Sequence, residues 1–296
     1  VATQGPFSLP SYFNVDADFR LWGSTINTAL AALGLVQTAD TGQINWTTVL
    51  KPASGNVYQG YEIWRFADSL QATVPIFFKL EYGSGGSTTN PGMALTVGSS
   101  SNGTGTITGQ VATRQVFSAS GSTSVGSVAP TLISGSSSEF YLAANLNFTV
   151  ATLGFFASVA RLKDATAADT GDGAVMVIIP SSAPFVHQYI PPSGAVPTAS
   201  VTLPVIAPYF NTRSSAGAAA TICPMVEPIA GAWRYSKIGI IYYADVGSGG
   251  TVTLTMFGGT HTLFVLGFSC NGGSPSYVAQ AGTSGSGSAG LVFPWE

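Results

Sequence analysis

Beyond residue 34 the apolar residues come in short runs, each cut off by Gly, Pro, Asn or a Ser/Thr cluster. That punctuation leaves no room for long helices and predicts many short strands. The clearest run begins at Phe140. Phe140, Leu142, Ala144, Leu146, Phe148 and Val150 fall on one face, and Tyr141, Ala143, Asn145, Asn147, Thr149 and Ala151 on the other. A period of two predicts a long, half-buried strand. The uncharged stretch continues to Ala160, long enough to raise the question of a membrane span. The alternation, and the cost of placing Asn145 and Asn147 in hydrocarbon, argue against one.

The same reading predicts strands over Ile44–Leu50, Ala72–Tyr82, Met93–Val97, Thr106–Phe117 (bent at Gly109), Val128–Ile133 at a sheet edge, Phe155–Leu162 and Ala174–Ile179. Brief extended pieces are expected at Val186–Ile190 and Ala199–Leu203. Lys237–Ala244, Thr251–Phe257 and Thr262–Phe268 are expected as a meander or paired hairpins. Asp164–Gly173 and the Ser/Gly-rich stretch Ser118–Ser127 are expected as loops. One helix is predicted, over 15–33, with Asn14 as its N-cap, Asp16 and Asp18 at the positive end of its dipole and Gly34 just past its end. Phe19, Trp22, Ile26, Leu30 and Leu33 recur at three- and four-residue steps and form its apolar face. Residues 1–13, broken by Gly5-Pro6 and Leu9-Pro10, are expected as an extended arm, lying on a neighbouring subunit or on the chain's own body. Residues 14–296 are expected as a single domain. The fold class is therefore mainly β: an antiparallel sandwich or barrel-like unit with one N-terminal α-helix.

The densest stretch is Tyr61–Gly83. Glu62, Arg65, Asp68, Lys79 and Glu81 stand there among six aromatic residues, so several of these charges are expected to be paired rather than freely solvated. Elsewhere charge is scarce. Charged residues make up 8% of the chain, against about 25% in an average soluble domain. With 45% hydrophobic residues and a net charge of −3, the chain has ample core material and little ionic surface, a balance that favours association. The ten Lys and Arg are scattered, so no basic patch for nucleic acid is expected. The first ten residues show neither the basic nor the apolar region of a signal peptide.

No motif of a nucleophile elbow, phosphate loop, C-x-x-C pair or H-E-x-x-H helix occurs. The G-x-G-x-x-G at Gly285–Gly290 lacks the strand and helix that would give it meaning. His187 and His261 are far apart in sequence and read as ordinary histidines. Cys223 and Cys270 read as buried thiols, with a single bridge left open. Asp164, Asp169 and Asp172 are the best acidic cluster for a Ca²⁺ ion, although turn formation explains the same residues. Glu62, Glu81, Asp68 and Glu139 are the carboxylates available to a glycosidase, and are better read as structural pairs. Tyr209, Phe210, Trp233, Tyr235, Tyr242 and Tyr243 are the aromatics open to a sugar. No catalytic, cofactor or metal residue is assigned, and no enzymatic activity is expected.

Four stretches carry a resemblance: GQINWTTVLKP, GYEIWRFADSLQATVPIFFKLEYGSG, ARLKDATAADTGDGAVMVIIP and GGTVTLTMFGGTHTLFVLG. Together they resemble a set of tailed-bacteriophage virion proteins described as structural or tail-associated, in the same order over most of the chain. Those proteins share the DTGDG turn at Asp169–Gly173. The resemblance implies a particle component located in the virion and assembled in the host cytoplasm. Its partners would be copies of itself and other virion proteins, without nucleic acid or membrane insertion. It brings no catalytic residues. The resemblance leaves the place on the particle open, and the tail (tip, fibre or collar) is the place expected. The alternatives are a host-polysaccharide-binding adhesin module, with a host glycan as ligand, and a head decoration protein.

Overall fold

The computed structural model describes residues 2–110, 114–118, 127–144, 155–178, 186–190, 221–229, 232–242, 251–256, 259–268 and 289–294. The chain is mainly β, with one helix near the N-terminus. In chain order the elements are β1 (Ala2–Pro10), α1 (Asp16–Ala32), β2 (Val36–Gln37), β3 (Tyr58–Arg65), β4 (Phe77–Ser84), β5 (Pro91–Ser101), β6 (Ile107–Gln110) and β7 (Gln115–Ser118). They continue with β8 (Val128–Ser136), β9 (Glu139–Ala144), β10 (Phe155–Lys163), β11 (Asp169–Ile178) and β12 (Val186–Ile190). The last are β13 (Thr221–Ile229), β14 (Ala232–Tyr242), β15 (Thr251–Met256), β16 (Gly259–Phe268) and β17 (Ala289–Pro294).

Two antiparallel sheets result. The smaller runs β2-β3-β4-β5-β6, with β7 also on β5. The larger runs β1-β8-β9-β10-β14-β17-β16-β15, with β11 and then β12 branching from β10, and β13 on β14. Alternation along β3, β4 and β5 directs Trp64, Phe78, Leu80, Tyr82, Met93, Leu95 and Val97 into the core. Facing them from the larger sheet are Ile133, Phe140, Leu142, Phe155, Val159, Val175 and Val177. Phe78 and Phe140 meet across the gap with ring centroids 4.7 Å apart, so the arrangement is sandwich-like.

The helix completes this core. Phe19, Trp22, Ile26 and Leu30 are fully buried, as their spacing requires. Trp22 meets Tyr82 edge-on at 5.9 Å, so α1 packs against the sheet that contains β4. The helix ends as expected, with Gly34 at φ +87 and its N–H on the Ala31 carbonyl at 3.0 Å. Its start is one residue later than expected: Val15, not Asn14, is the N-cap. Asp18 supplies the cap, accepting the backbone N–H groups of Asn14 at 2.8 Å and Val15 at 3.0 Å.

Several strand expectations are corrected. Ile44–Leu50 is not a strand; it forms turns and irregular chain. The strand expected from Ala72 begins at Phe77, because residues 69–73 make a turn in which Thr73 and Val74 donate to the Leu70 carbonyl. Thr106–Phe117 holds two strands, β6 and β7, both paired with β5. Val128–Ile133 lies inside the sheet, because the N-terminal segment pairs along it as β1. That segment is thus part of the chain's own sheet, interrupted between Gln4 and Phe7. The strand from Phe140 is buried on both faces over Glu139–Ala144; its expected continuation through 145–151 lies outside the described residues. DTGDG opens β11 rather than lying in a loop. Finally, β14 lies beside β17 and β13, not beside β15. Ser118 is the last residue of β7 and Ser127 pairs with Ser11; residues 119–126, 199–203 and the Cys270 position lie outside the described residues.

Candidate functional site

The polar chemistry of the described residues collects in three places, each built by tertiary packing. The first is Glu62. Its position on β3 is in phase with Trp64, which turns both side chains into the core. The carboxylate is fully buried. One oxygen accepts the Asn27 amide at 2.7 Å and the Trp46 indole N–H at 2.6 Å. The other accepts the Tyr82 hydroxyl at 2.7 Å and the Trp64 indole N–H at 3.1 Å. Helix, loop and two strands thus converge on one anion through four neutral donors. Burial pushes the Glu62 carboxyl above its usual range, against the pull of those hydrogen bonds. Burial, reinforced by the adjacent carboxylate, also pushes Tyr82 well up.

The second is a belt of ion pairs at one end of the sandwich. Arg161 continues the row of Val159 beyond the apolar core. It is held bidentately by Asp68 and also donates to the Val74 carbonyl at 2.9 Å. This ties β10 to the turn between β3 and β4, where Ala67 N–H also meets the Ser137 carbonyl at 2.8 Å. Lys163 pairs with Asp169, which also accepts the Ser138 hydroxyl at 3.0 Å. Arg234 reaches Asp172 at 2.7 Å, and Lys237 reaches Glu139 at 2.6 Å. Glu139 is 1% exposed and also accepts the Tyr141 hydroxyl at 2.8 Å. Burial opposes its ionisation, but Lys237 and Lys163 outweigh that, and its carboxyl lies below the usual range. Between β10 and β14 the register holds a single residue pair among the described residues, Lys163 with Tyr235; Arg234–Asp172 and Lys237–Glu139 add ties from β14 to β11 and β9 on either side of β10.

The third is Asp40. Its carboxylate accepts the Thr38 hydroxyl at 2.6 Å, the Gly105 N–H at 3.1 Å and the Ser101 hydroxyl. Despite the opposing cost of burial, the Ser101, Thr38 and backbone donors draw its carboxyl down. The result pins the 38–44 segment and the β5–β6 turn over the outer face of the smaller sheet. Tyr61 joins them through its hydroxyl on the Thr41 carbonyl at 2.6 Å.

The residues singled out from sequence are therefore dispersed. Asp164 caps its own turn, accepting Thr166 N–H at 2.8 Å and Ala168 N–H at 3.2 Å. Asp169 and Asp172 face separate cations. Among the described residues no group of three or more His, Cys, Asp or Glu side chains converges as metal ligands would. Glu81 pairs with Arg114 at 2.6 Å. His187 stands opposite Met176 in β12, His261 opposite Leu254 in β16, and Cys223 opposite Ile240 in β13. Trp233, Tyr235 and Tyr242 lie along β14; Tyr209, Phe210, Tyr243 and residues 285–288 lie outside the described residues.

The sequence carries no signal for the Asp40 centre or for the Trp46 donor to Glu62. Beyond the local Thr38, the donors to Asp40 are Ser101 and Gly105, 61 and 65 residues away, and no sequence pattern joins them. Trp46 falls within the expected strand Ile44–Leu50, whereas the structure places it in a turn. Glu62 had the better signal, since it shares a strand face with Trp64. No protein-family model matches the chain, and comparisons with curated proteins and with solved structures find no match.

Proposed function

We propose that this chain is a tail-associated structural subunit of a bacteriophage particle that acts by packing against copies of itself and other virion proteins. The observation that carries this reading is the internal use of charge. Every carboxylate from Asp16 to Asp172 is engaged within the chain: Asp16 by Arg20 and the Lys51 N–H, Asp18 at the helix start, and the rest in the three centres, the Asp164 turn or the Glu81–Arg114 pair. Catalysis by acid and base needs carboxyl groups open to substrate. Glu62 and Glu139 have the most buried carboxyl groups here and are closed to it. With those few ions engaged internally, the exposed positions among the described residues are mostly Ala, Thr, Gly, Ser and Asn. Such a surface can be buried in symmetric contacts with little ionic desolvation cost. The sequence resemblance supplies the particle.

The test is immunolabelling of intact particles from the source culture with antibodies raised to the purified chain. Labelling at a fixed place on the tail supports the reading. Labelling on the capsid shell moves the subunit to head decoration. Absence from purified particles contradicts the reading, and retention of the purified chain on a glycan array would then favour the adhesin.

A further inference from the structure

Strand edges expose unpaired backbone groups, and proteins usually guard them with proline, charge or irregularity. The edges of the two sheets differ sharply in this respect. At one end of the larger sheet, β1 contains Pro6 and Pro10 and its register breaks between Gln4 and Phe7. The side strand β13 contains Pro224 and Pro228 and is also broken. The side strand β12 is five residues long and is followed at once by Pro191-Pro192. In the smaller sheet β2 has two residues, and β6 and β7 have four each. The other end of the larger sheet is β15, TVTLTM. It pairs only with β16 among the described residues, in unbroken register from Thr251↔Phe264 to Met256↔Gly259. It has no proline, no charge and no bulge, and its residues favour strands.

Its surroundings are equally neutral. From Val246 to Trp295, a stretch that includes β15, β16 and β17, the chain has no Lys, Arg, Asp or Glu. In a contact between identical edges about a two-fold axis, a charged residue near the axis meets its own copy. Exclusion of charge is what such a contact requires.

The geometry points to the edge of β15 turned away from β16, unpaired among the described residues, as a self-association surface: two copies of this chain pair their β15 strands antiparallel about a two-fold axis at Thr253, so that the larger sheet runs on from one subunit into the next. The register follows from the hairpin. Two residues separate Met256 from Gly259, which makes that flanking pair a hydrogen-bonded one, and the pattern alternates from there. Val252, Leu254 and Met256 therefore bond to β16, and Thr251, Thr253 and Thr255 direct their backbone N–H and C=O groups away from it, to the outer edge. Only these odd positions can bond to a second copy. Their mutual pairing sets Thr253 opposite Thr253, Thr251 opposite Thr255 and Val252 opposite Leu254. Each is a like-with-like cross-strand pair. This inference rests on the subunit reading and names one of the contacts it requires.

The test uses sedimentation velocity on the purified full chain. Thr253→Pro removes an outward N–H that the β15–β16 ladder does not use. With unfolding transitions matching the parent chain, it is expected to weaken self-association by about tenfold or more, through lost backbone hydrogen bonds. Thr253→Lys and Thr253→Glu are each expected to weaken it alone, and an equimolar mixture of the two to restore it, because opposite charges then face each other at the axis. If Thr253→Pro does not fold, the charge pair decides. Association of all three variants at the parental strength overturns the edge pairing, as does a parent chain that stays a single chain at every concentration. Neither result changes where antibodies label the particle, so the subunit reading is judged separately.

Discussion

At the scale of residues, the two buried glutamates behave oppositely because their partners differ. Glu139 has a cation, and its folded-state carboxyl lies below the ordinary range. Its contribution to stability is therefore present above the unfolded-state pKa and lost as the pH falls through the folded one. Glu139→Gln leaves Lys237 uncompensated and is expected to cost about 3–5 kcal/mol, read from urea unfolding near neutral pH; a loss under 1 kcal/mol would remove the Glu139–Lys237 pair from the account of how β14 is held to β9. Glu62 has no cation, and burial raises its carboxyl. The folded state then holds a proton more tightly than the unfolded one. Glu62 thus contributes stability that grows as the pH falls through its raised folded pKa, and levels off below the unfolded pKa. Glu62→Gln sets an amide N–H against an indole N–H whichever way the amide turns, Trp46 on one side and Trp64 on the other, and an indole has no acceptor to offer. It is expected to cost about 1–3 kcal/mol at neutral pH and to flatten that part of the pH profile. A variant with the parental pH profile would show that Glu62 does not titrate there. Charges set among aromatics in Tyr61–Gly83 made pairing legible for Asp68 and Glu81. That Glu62 would instead draw in two indoles was not legible, since Trp46 arrives from a loop whose path only the packed fold defines.

At the scale of elements, legibility followed periodicity. The helix was readable because five large apolar residues repeat at helical spacing and Gly34 ends it. Its start was misplaced by one residue because Asp18 reaches back from the first turn, a role that composition does not separate from a dipole effect. Strands buried on one face were readable as alternation, whereas the β8 position was not: whether a strand sits at an edge depends on what pairs with it, here the N-terminal segment. DTGDG was read as a loop because Asp and Gly favour turns, yet Lys163 and Arg234 hold its two acids within β11 and override that tendency. Gly23 shows the same dependence on packing. A Cβ built there falls 1.9 Å from the Trp46 ring, and that ring is fixed by its bond to Glu62. Gly23→Ala should therefore destabilise by about 1–3 kcal/mol through overpacking, although Ala is the better helix former by about 1 kcal/mol. Thermal unfolding distinguishes the two, because a raised midpoint would mean that the indole moves aside freely. Asp40→Ala should release the 38–44 segment from the β5–β6 turn. Faster amide exchange at Thr41 and Ile44, with the core unchanged, is the expected signature.

At the scale of the whole molecule, the mainly β sandwich follows from short apolar runs, but its topology does not, because β14 lies beside β17 and not beside its neighbour in sequence. The scarcity of charge, noticed first as composition, takes on a physical meaning once the partners are seen: the described ions hold turns, sheet junctions and the helix start. Contacts with other copies are then left to neutral groups, which salt screens little. Mass measurement by sedimentation equilibrium, at micromolar chain concentration and across a series from low to high salt, tests this most directly. The account predicts an assembly larger than one chain whose mass does not change along the series. A single-chain mass throughout, or an assembly that falls apart as salt rises, would contradict it.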